Sequence, residues 1–244
     1  MRKEIICCPP HGEAVRYAAR YLSALGFPVT ESPTPDATHL LLPVPSFPSG
    51  QEYLNSILPA LSREITVCGG NLAVPTLAGY RTVDFLQDPY YLADNAAITA
   101  ECALHIVDSH LNHDQCNVLI LGWGRIGKCL GRLLQIQGAD VTIAARKETD
   151  LAMIHALGYH SVPIFHAADG LDHYDVILNT VPEMILPQMR CRPDCIAVEL
   201  ASKPGMSGDN IISARGLPGK MAPKQSGKLI AQTFIRLALD KELK

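Results

Sequence analysis

Three glycines, Gly122, Gly124 and Gly127, follow directly on the apolar run Val118-Leu-Ile-Leu121, in the order Gly-x-Gly-x-x-Gly. That spacing suits pyrophosphate binding. The first glycine permits a tight turn, the second lets the backbone approach a phosphate, and the third lets the following helix pack closely on the strand. The helix start, with Arg125 and Ile126 in its first turn, then presents unpaired N–H groups and a partial positive charge. The next expected strand ends in Ala144-Ala145-Arg146-Lys147. A site for NAD places an acid at that tip for the ribose 2′-hydroxyl, whereas a site for NADP places a cation for the 2′-phosphate. Arg146 can grip a phosphate bidentately and Lys147 adds charge. NADP is therefore expected. NAD is the alternative, through Glu148, which is otherwise expected to start a helix.

A hydride transfer also needs a group to manage one proton, most often His or a carboxylate. None of the nine histidines has a clear general-base setting. His11, in Pro-Pro-His-Gly just after the first expected strand, faces the expected cleft, and His105 and His110 fall on a long expected helix. Cys191 and Cys195 are four apart with no second pair at ligand spacing, so no metal is expected.

The elements that must position these residues follow from periodicity. Ile5–Cys8 precedes 12–25, where Val15, Ala18, Ala19, Leu22 and Leu25 form a helical stripe. A short run at Val29, a longer one at 39–44, a helix over 52–61 and a strand at 65–68 complete a small parallel sheet. The spacing then predicts a helix over 94–110, capped by Asp94 or Asn95. A second β–α series follows: strands at 117–121, 141–145, 175–180 and 196–201, helices at 125–137 and 149–157, and a closing helix over 225–243. The expected fold class is α/β, with two Rossmann-like lobes of parallel strands. The first lobe is expected to span 1–92 and the nucleotide-binding lobe 93–225. Residues 226–244 form a last helix that packs back on the first lobe.

The 244 residues are 48% hydrophobic and 18% charged, with a net charge of −3. That suffices for a core and offers no general attraction to nucleic acid or anionic membrane. No run reaches the roughly 18 apolar residues of a membrane span. The eight cysteines lie mostly within apolar runs, as small hydrophobes. A reduced, cytoplasmic, soluble protein is expected, with a homodimer as the common arrangement for this size.

Three further segments carry a resemblance: Asn95-Ala-Ala-Ile-Thr99-Ala-Glu101; Asn179-Thr180-Val181-Pro182 followed by Glu199-Leu-Ala-Ser202-Lys-Pro204-Gly205; and Gly216-Leu-Pro-Gly219-Lys220-Met-Ala-Pro223-Lys-Gln-Ser-Gly227. In this order, from about residue 92 onward, they resemble the A-subunit family of dipicolinate synthase, NADP-linked oxidoreductases of spore-forming bacteria. The first lobe agrees in architecture but is shorter. Glu199, Met206 and Ala96-Ala97 depart from the family pattern.

The resemblance implies oxidation of a cyclic dihydrodipicolinate-type precursor, a small dicarboxylate, to pyridine-2,6-dicarboxylate, with a flavoprotein B subunit as partner. It implies that Asn179, Thr180, Val181 and Pro182 contact the cofactor ribose. Ser202 lies near the nicotinamide carboxamide or caps the turn before Pro204. Lys220 pairs with a substrate carboxylate if its loop crosses the cleft, and is otherwise a solvated lysine. On the long helix Asn95 and Thr99 share one face (i, i+4) and read as substrate or nicotinamide contacts, while Glu101 points away as a second acid/base residue or a solvated one. The alternatives are another small-acid dehydrogenase, of the 2-hydroxyacid or shikimate type, and a protein that binds NADP without turnover.

Overall fold

The computed structural model describes residues 4–47, 52–108 and 116–239. Its chain divides into two compact units, one formed by Met1–Asn95 with Pro218–Lys244 and the other by Ala96–Leu217. In chain order the first elements are β1 (Ile6–Cys7), α1 (Glu13–Ala24), β2 (Val29–Thr30), β3 (His39–Leu41) and α2 (Glu52–Ile57). Then come β4 (Thr66–Gly69), β5 (Arg81–Asp84) and α3 (Pro89–Asp108). The second series runs β6 (Asn117–Leu121), α4 (Arg125–Ile136), β7 (Asp140–Ala145), α5 (Glu148–Ala156), β8 (His160–Pro163) and β9 (Val176–Asn179). It continues with β10 (Leu186–Met189), β11 (Ile196–Glu199), β12 (Met206–Gly208), β13 (Ile211–Ser213), α6 (Leu217–Met221) and α7 (Pro223–Ala238).

The first unit holds a five-stranded parallel sheet in the order β2-β1-β3-β4-β5. Leu40, Leu42 and Val67 from its strands and their exits pack with Leu54, Ile57 and Leu58 of the α2 segment. That segment is shorter than expected as a helix. Pro59 closes it into a single 3₁₀ turn at Leu58–Ala60, since a proline inside a helix removes a hydrogen bond and clashes with the preceding turn.

α7 lies in this first unit and packs against α1. Gly227 allows the approach, because a Cβ there would come within 2.5 Å of Ala14 O and of Tyr17 Cβ. The chain therefore re-enters the first unit at Pro218, earlier than the expected boundary at 225. α7 starts at Pro223, the proline occupying the first turn where its missing N–H costs nothing. Residues 240–243 of the expected closing helix, and 109–110 of the helix expected over 94–110, lie outside the described residues.

The expected start of α3 is corrected. It begins at Pro89, and Asp88 caps it rather than Asp94 or Asn95: Tyr91 N donates to Asp88 Oδ2 at 2.7 Å. Arg236 of α7 grips the same carboxylate through Nη1 and Nη2, at 3.1 and 2.6 Å. Burial alone would raise the Asp88 carboxyl, but the hydrogen bonds from Arg236 and Tyr91 and the guanidinium charge outweigh it and hold it below its ordinary value. A carboxyl lowered by folding adds stability above its unfolded pKa, and that stability is lost as pH falls through the folded value. Asp88→Asn should therefore cost stability at pH 7 and less at pH 3, which lies below the pKa of the unfolded carboxyl. The side chain of Arg236 is 39% exposed, so solvent screening limits the ion-pair part to about 1 kcal/mol. Urea unfolding of both proteins at the two pH values checks this, and an equal loss at both would exclude the linkage.

The second unit holds a six-stranded parallel sheet in the order β13-β11-β9-β6-β7-β8. β6, β9 and β11 lie in its interior and read as near-continuous apolar runs, as strands covered on both faces must. Strand order reverses at β6, the switch point where open sheets of this kind bind ligands at their carboxyl ends. β10 and β12, which follow β9 and β11 along the chain, form a separate parallel pair. Among the described residues no helix is long and apolar enough to cross a membrane, and no group of His, Cys, Asp or Glu is placed to hold a metal ion.

Candidate functional site

The carboxyl edge of the six-stranded sheet is ruled by four backbone bonds in a row. Gly122 N donates to Ala144 O at 2.9 Å, Thr180 N to Leu121 O at 3.0 Å, Leu200 N to Asn179 O at 2.9 Å, and Ala214 N to Glu199 O at 2.9 Å. These rungs hold the exits of β7, β6, β9, β11 and β13 level with one another. Four of the loops that leave this edge carry residues singled out from sequence.

The first is the glycine loop. Gly122 has φ 103, a left-handed conformation that L side chains rarely adopt. It also faces the next loop, where a Cβ would meet Thr180 Oγ1 at 2.6 Å and Val181 Cγ2 at 2.8 Å. At Gly127 a Cβ would collide with Gly122 O, so the third glycine is needed for the helix to close on the turn. Gly124 is different, for nothing lies within 4 Å of its Cβ position. α4 starts there with no side chain capping it and no acid in its first turn. The first-turn N–H groups of a helix have no partner within it. Open space above uncapped N–H groups fits a pyrophosphate, with Arg125 exposed and Ile126 half-buried beside it.

The second loop follows β9. Asn179, placed among the cofactor contacts from sequence, is completely buried and spends its side chain on the protein. Its Nδ2 donates to Glu199 Oε1 and Oε2 at 2.8 and 3.0 Å and to Val181 O at 3.0 Å. Its Oδ1 accepts from Val181 N at 3.0 Å. Thr180 Oγ1 donates to Leu121 O at 2.8 Å. Asn179 and Thr180 thus hold the loop against the glycine turn, while half-buried Val181 and exposed Pro182 form its outer wall.

Glu199 ends β11 and is 4% exposed. Besides Asn179, Oε1 accepts from Ala201 N at 3.0 Å, and Oε2 accepts from Gly205 N at 2.8 Å and Met206 N at 3.2 Å. This carboxylate folds the 200–206 loop, which leaves Ser202 exposed at its tip. Sequence reading gave Glu199 no role. Its partners lie up to 20 residues away, beyond any local pattern.

At the tip of β7 Arg146 is exposed, with Lys147 as the residue before α5 and Glu148 as the first residue of that helix. Arg146 Nη1 lies 3.7 Å from Glu183 Oε2, both side chains being well exposed. Glu183 was not foreseen. Trp123, inside the glycine loop, meets Tyr159 edge-on with ring centroids 5.8 Å apart.

The remaining sequence-derived residues fall in different places. Thr99 is buried on α3 and Glu101 exposed there, both in the second unit. Asn95 closes the first segment of the first unit, and exposed Lys220 of α6 also belongs to that unit. His11 follows β1 and stacks on Tyr53, with ring centroids 3.5 Å apart. The two line a cavity of about 500 Å³ with Ser46, Phe47 and Glu52, at the carboxyl ends of β1 and β3. Burial, and then nearby Cys7, raise the Tyr53 phenol, which therefore stays an O–H donor at neutral pH.

The A subunit of dipicolinate synthase from Bacillus subtilis (strain 168) is 32% identical over 159 residues, covering 59% of this chain and 52% of that protein. The match thus spans about half the length of this curated relative. Among solved structures, the A subunit of dipicolinate synthase from Bacillus halodurans has a TM-score of 0.80 at 22% identity, covering 96% of this chain and 97% of its own. The structure of its counterpart from Bacillus subtilis gives 0.75 at 20%, covering 98% and 97%. A transhydrogenase from Sinorhizobium meliloti gives 0.69 at 13%, covering 93% and 91%. No family model matches. At these identities the structural likenesses establish the fold, a pair of Rossmann-type parallel-sheet units.

Proposed function

We propose, from the chain's likeness to the A subunit of dipicolinate synthase, that it is an NADP-dependent oxidoreductase acting with a separate flavoprotein partner. Its substrate is a cyclic dihydrodipicolinate-type dicarboxylate, oxidised to pyridine-2,6-dicarboxylate. The nicotinamide, when bound, supplies the hydride acceptor, and one proton leaves the ring alongside. The reading is carried by one observation, an uncapped α4 start under open space at Gly124 with the Arg146 cation at the tip of the next strand.

The chain's own residues then have these tasks. The first-turn N–H groups of α4 bind the pyrophosphate, and Gly122 and Gly127 keep that turn tight. Thr180 and Asn179 position the ribose wall formed by Val181 and Pro182. Arg146 holds the 2′-phosphate, with Lys147 adding charge. Ser202, on the loop that Glu199 orders, is assigned to the carboxamide. Asn95 and Thr99 are assigned to the substrate and Lys220 to one of its carboxylates. For the proton, His11 is favoured over Glu101 because it lines a cavity with polar neighbours.

Arg146→Ala should weaken NADPH binding by roughly 10- to 30-fold, as loss of charge-assisted hydrogen bonds implies, while NADH is unaffected. Glu183→Gln should tighten NADPH binding, because the carboxylate that competes for Arg146 is gone. Calorimetric titration of both nucleotides reads this out, followed by absorbance at 340 nm with precursor and flavoprotein partner. Equal weakening of both nucleotides by Arg146→Ala would remove the 2′-phosphate role. A second reading, NAD, is favoured by the position of Glu183, whose carboxylate beside Arg146 supplies the acid that the tip of β7 lacks. In that case Glu183→Gln weakens NADH binding instead.

A further inference from the structure

Among the described residues, one guanidinium of the second unit has buried nitrogens that no group of the chain pairs. Nε and Nη2 of Arg215 are buried and neither has a hydrogen-bond partner there. Buried polar groups in folded proteins are paired in the great majority of cases, and a guanidinium is among the costliest to leave unpaired. The two bare nitrogens are not an arbitrary pair. Nε and Nη2 form one side of the guanidinium fork, which meets both oxygens of a carboxylate through parallel N–H···O bonds.

Arg215 sits at the carboxyl edge of the sheet, one residue beyond the rung Ala214 N to Glu199 O. β13, β11, β9 and β6 are neighbours in that order, so Arg215 and the glycine loop lie at the two ends of a four-strand stretch of one edge. Three strand spacings separate them, about 14 Å. Glu199 is the acid nearest to it along this edge, aligned with Ser213. Both its oxygens are already taken by N–H donors from Asn179, Ala201, Gly205 and Met206. Glu199 is therefore not available to the fork.

We propose that Arg215 is a carboxylate receptor, binding one carboxylate of a small planar acid through Nε and Nη2. This deepens the reading above, on which it rests for the identity of the acid. It assigns a substrate-binding residue that the sequence did not suggest.

Thermal melts of the full chain test it, with Arg215→Met and Arg215→Lys beside the wild type. Each is measured alone, with NADPH, and with pyridine-2,6-dicarboxylate, pyridine-2-carboxylate or a 2-hydroxy acid at matched ionic strength. Without ligand, Arg215→Met should melt no lower than the wild type, since Nε and Nη2 have no hydrogen bond to lose. Pyridine-2,6-dicarboxylate should raise the melting temperature of the wild type and leave that of Arg215→Met unmoved. Titration should show an affinity roughly 30-fold weaker or more in Arg215→Met, as loss of a bidentate charge-assisted pair implies. Arg215→Lys should recover only part because it lacks the fork. NADPH should stabilise all three alike.

If pyridine-2,6-dicarboxylate stabilises wild type and Arg215→Met equally, the receptor role is overturned and the dicarboxylate reading stands. If only a 2-hydroxy acid stabilises the wild type, and not Arg215→Met, the receptor role stands and the dicarboxylate reading falls. If no acid stabilises the wild type, the receptor role is overturned as well.

Discussion

Glu199→Gln should destabilise the second unit by about 3–5 kcal/mol, although it changes a single oxygen into an NH₂ group. Every contact of Glu199 is a donor: Asn179 Nδ2 and three backbone N–H groups. Whichever way the new amide turns, its NH₂ faces at least two of these donors. They lose their acceptor, and the amide protons gain none. At about 2–4 °C per kcal/mol for a chain of this size, the melting temperature should fall by roughly 10 °C. The 200–206 loop should open with it, so NADPH affinity should drop too. A melting temperature within about 2 °C of the wild type would show that the loop does not depend on this carboxylate.

Gly124→Val should act in the opposite sense, removing binding and sparing the fold. Nothing lies within 4 Å of the Cβ position, and φ at this residue is −79, so valine meets neither a neighbour nor a forbidden backbone. What it fills is the space above the start of α4. Nucleotide affinity should fall by at least about 100-fold, some 2.7 kcal/mol, with the melting temperature of the free protein nearly unchanged. Gly127 provides the contrast, because a Cβ there strikes Gly122 O. Paired melts and titrations of the two variants separate a glycine kept for the ligand from one kept for packing. Retained nucleotide binding in Gly124→Val would move the site away from this loop.

The glycine loop was legible in the sequence because its constraints are local: an apolar strand, three glycines and a helix period lie close together along the chain. Arg146 was legible for the same reason, as the residue at the end of a readable strand. β5, β8 and β13 were not. They are short edge strands, Arg81–Asp84, His160–Pro163 and Ile211–Ser213, and an edge strand need not show the continuous apolar run of an interior one. The start of α3 was misplaced because Asp88, Asp94 and Asn95 are all good caps. Pro89 decides between them, being favoured at the first helical position. The roles of Asn179, Glu199 and Arg215 rest on partners, or on the lack of them, across the sheet, and no spacing along the chain records that.

The pairing of α1 with α7 has a consequence for how the protein comes into being. About 200 residues separate the two helices, and the whole second unit is made between them. At about 5–20 residues per second, the side of α1 bearing Ala14, Tyr17 and Ala18 waits roughly 10–40 seconds for its cover. The second unit is one uninterrupted stretch and has no such wait. During synthesis the nucleotide-binding unit can therefore mature first, as a finished insert within an unfinished host. The first unit carries the slow, long-range closure, and with it the greater exposure to aggregation and to proteolysis.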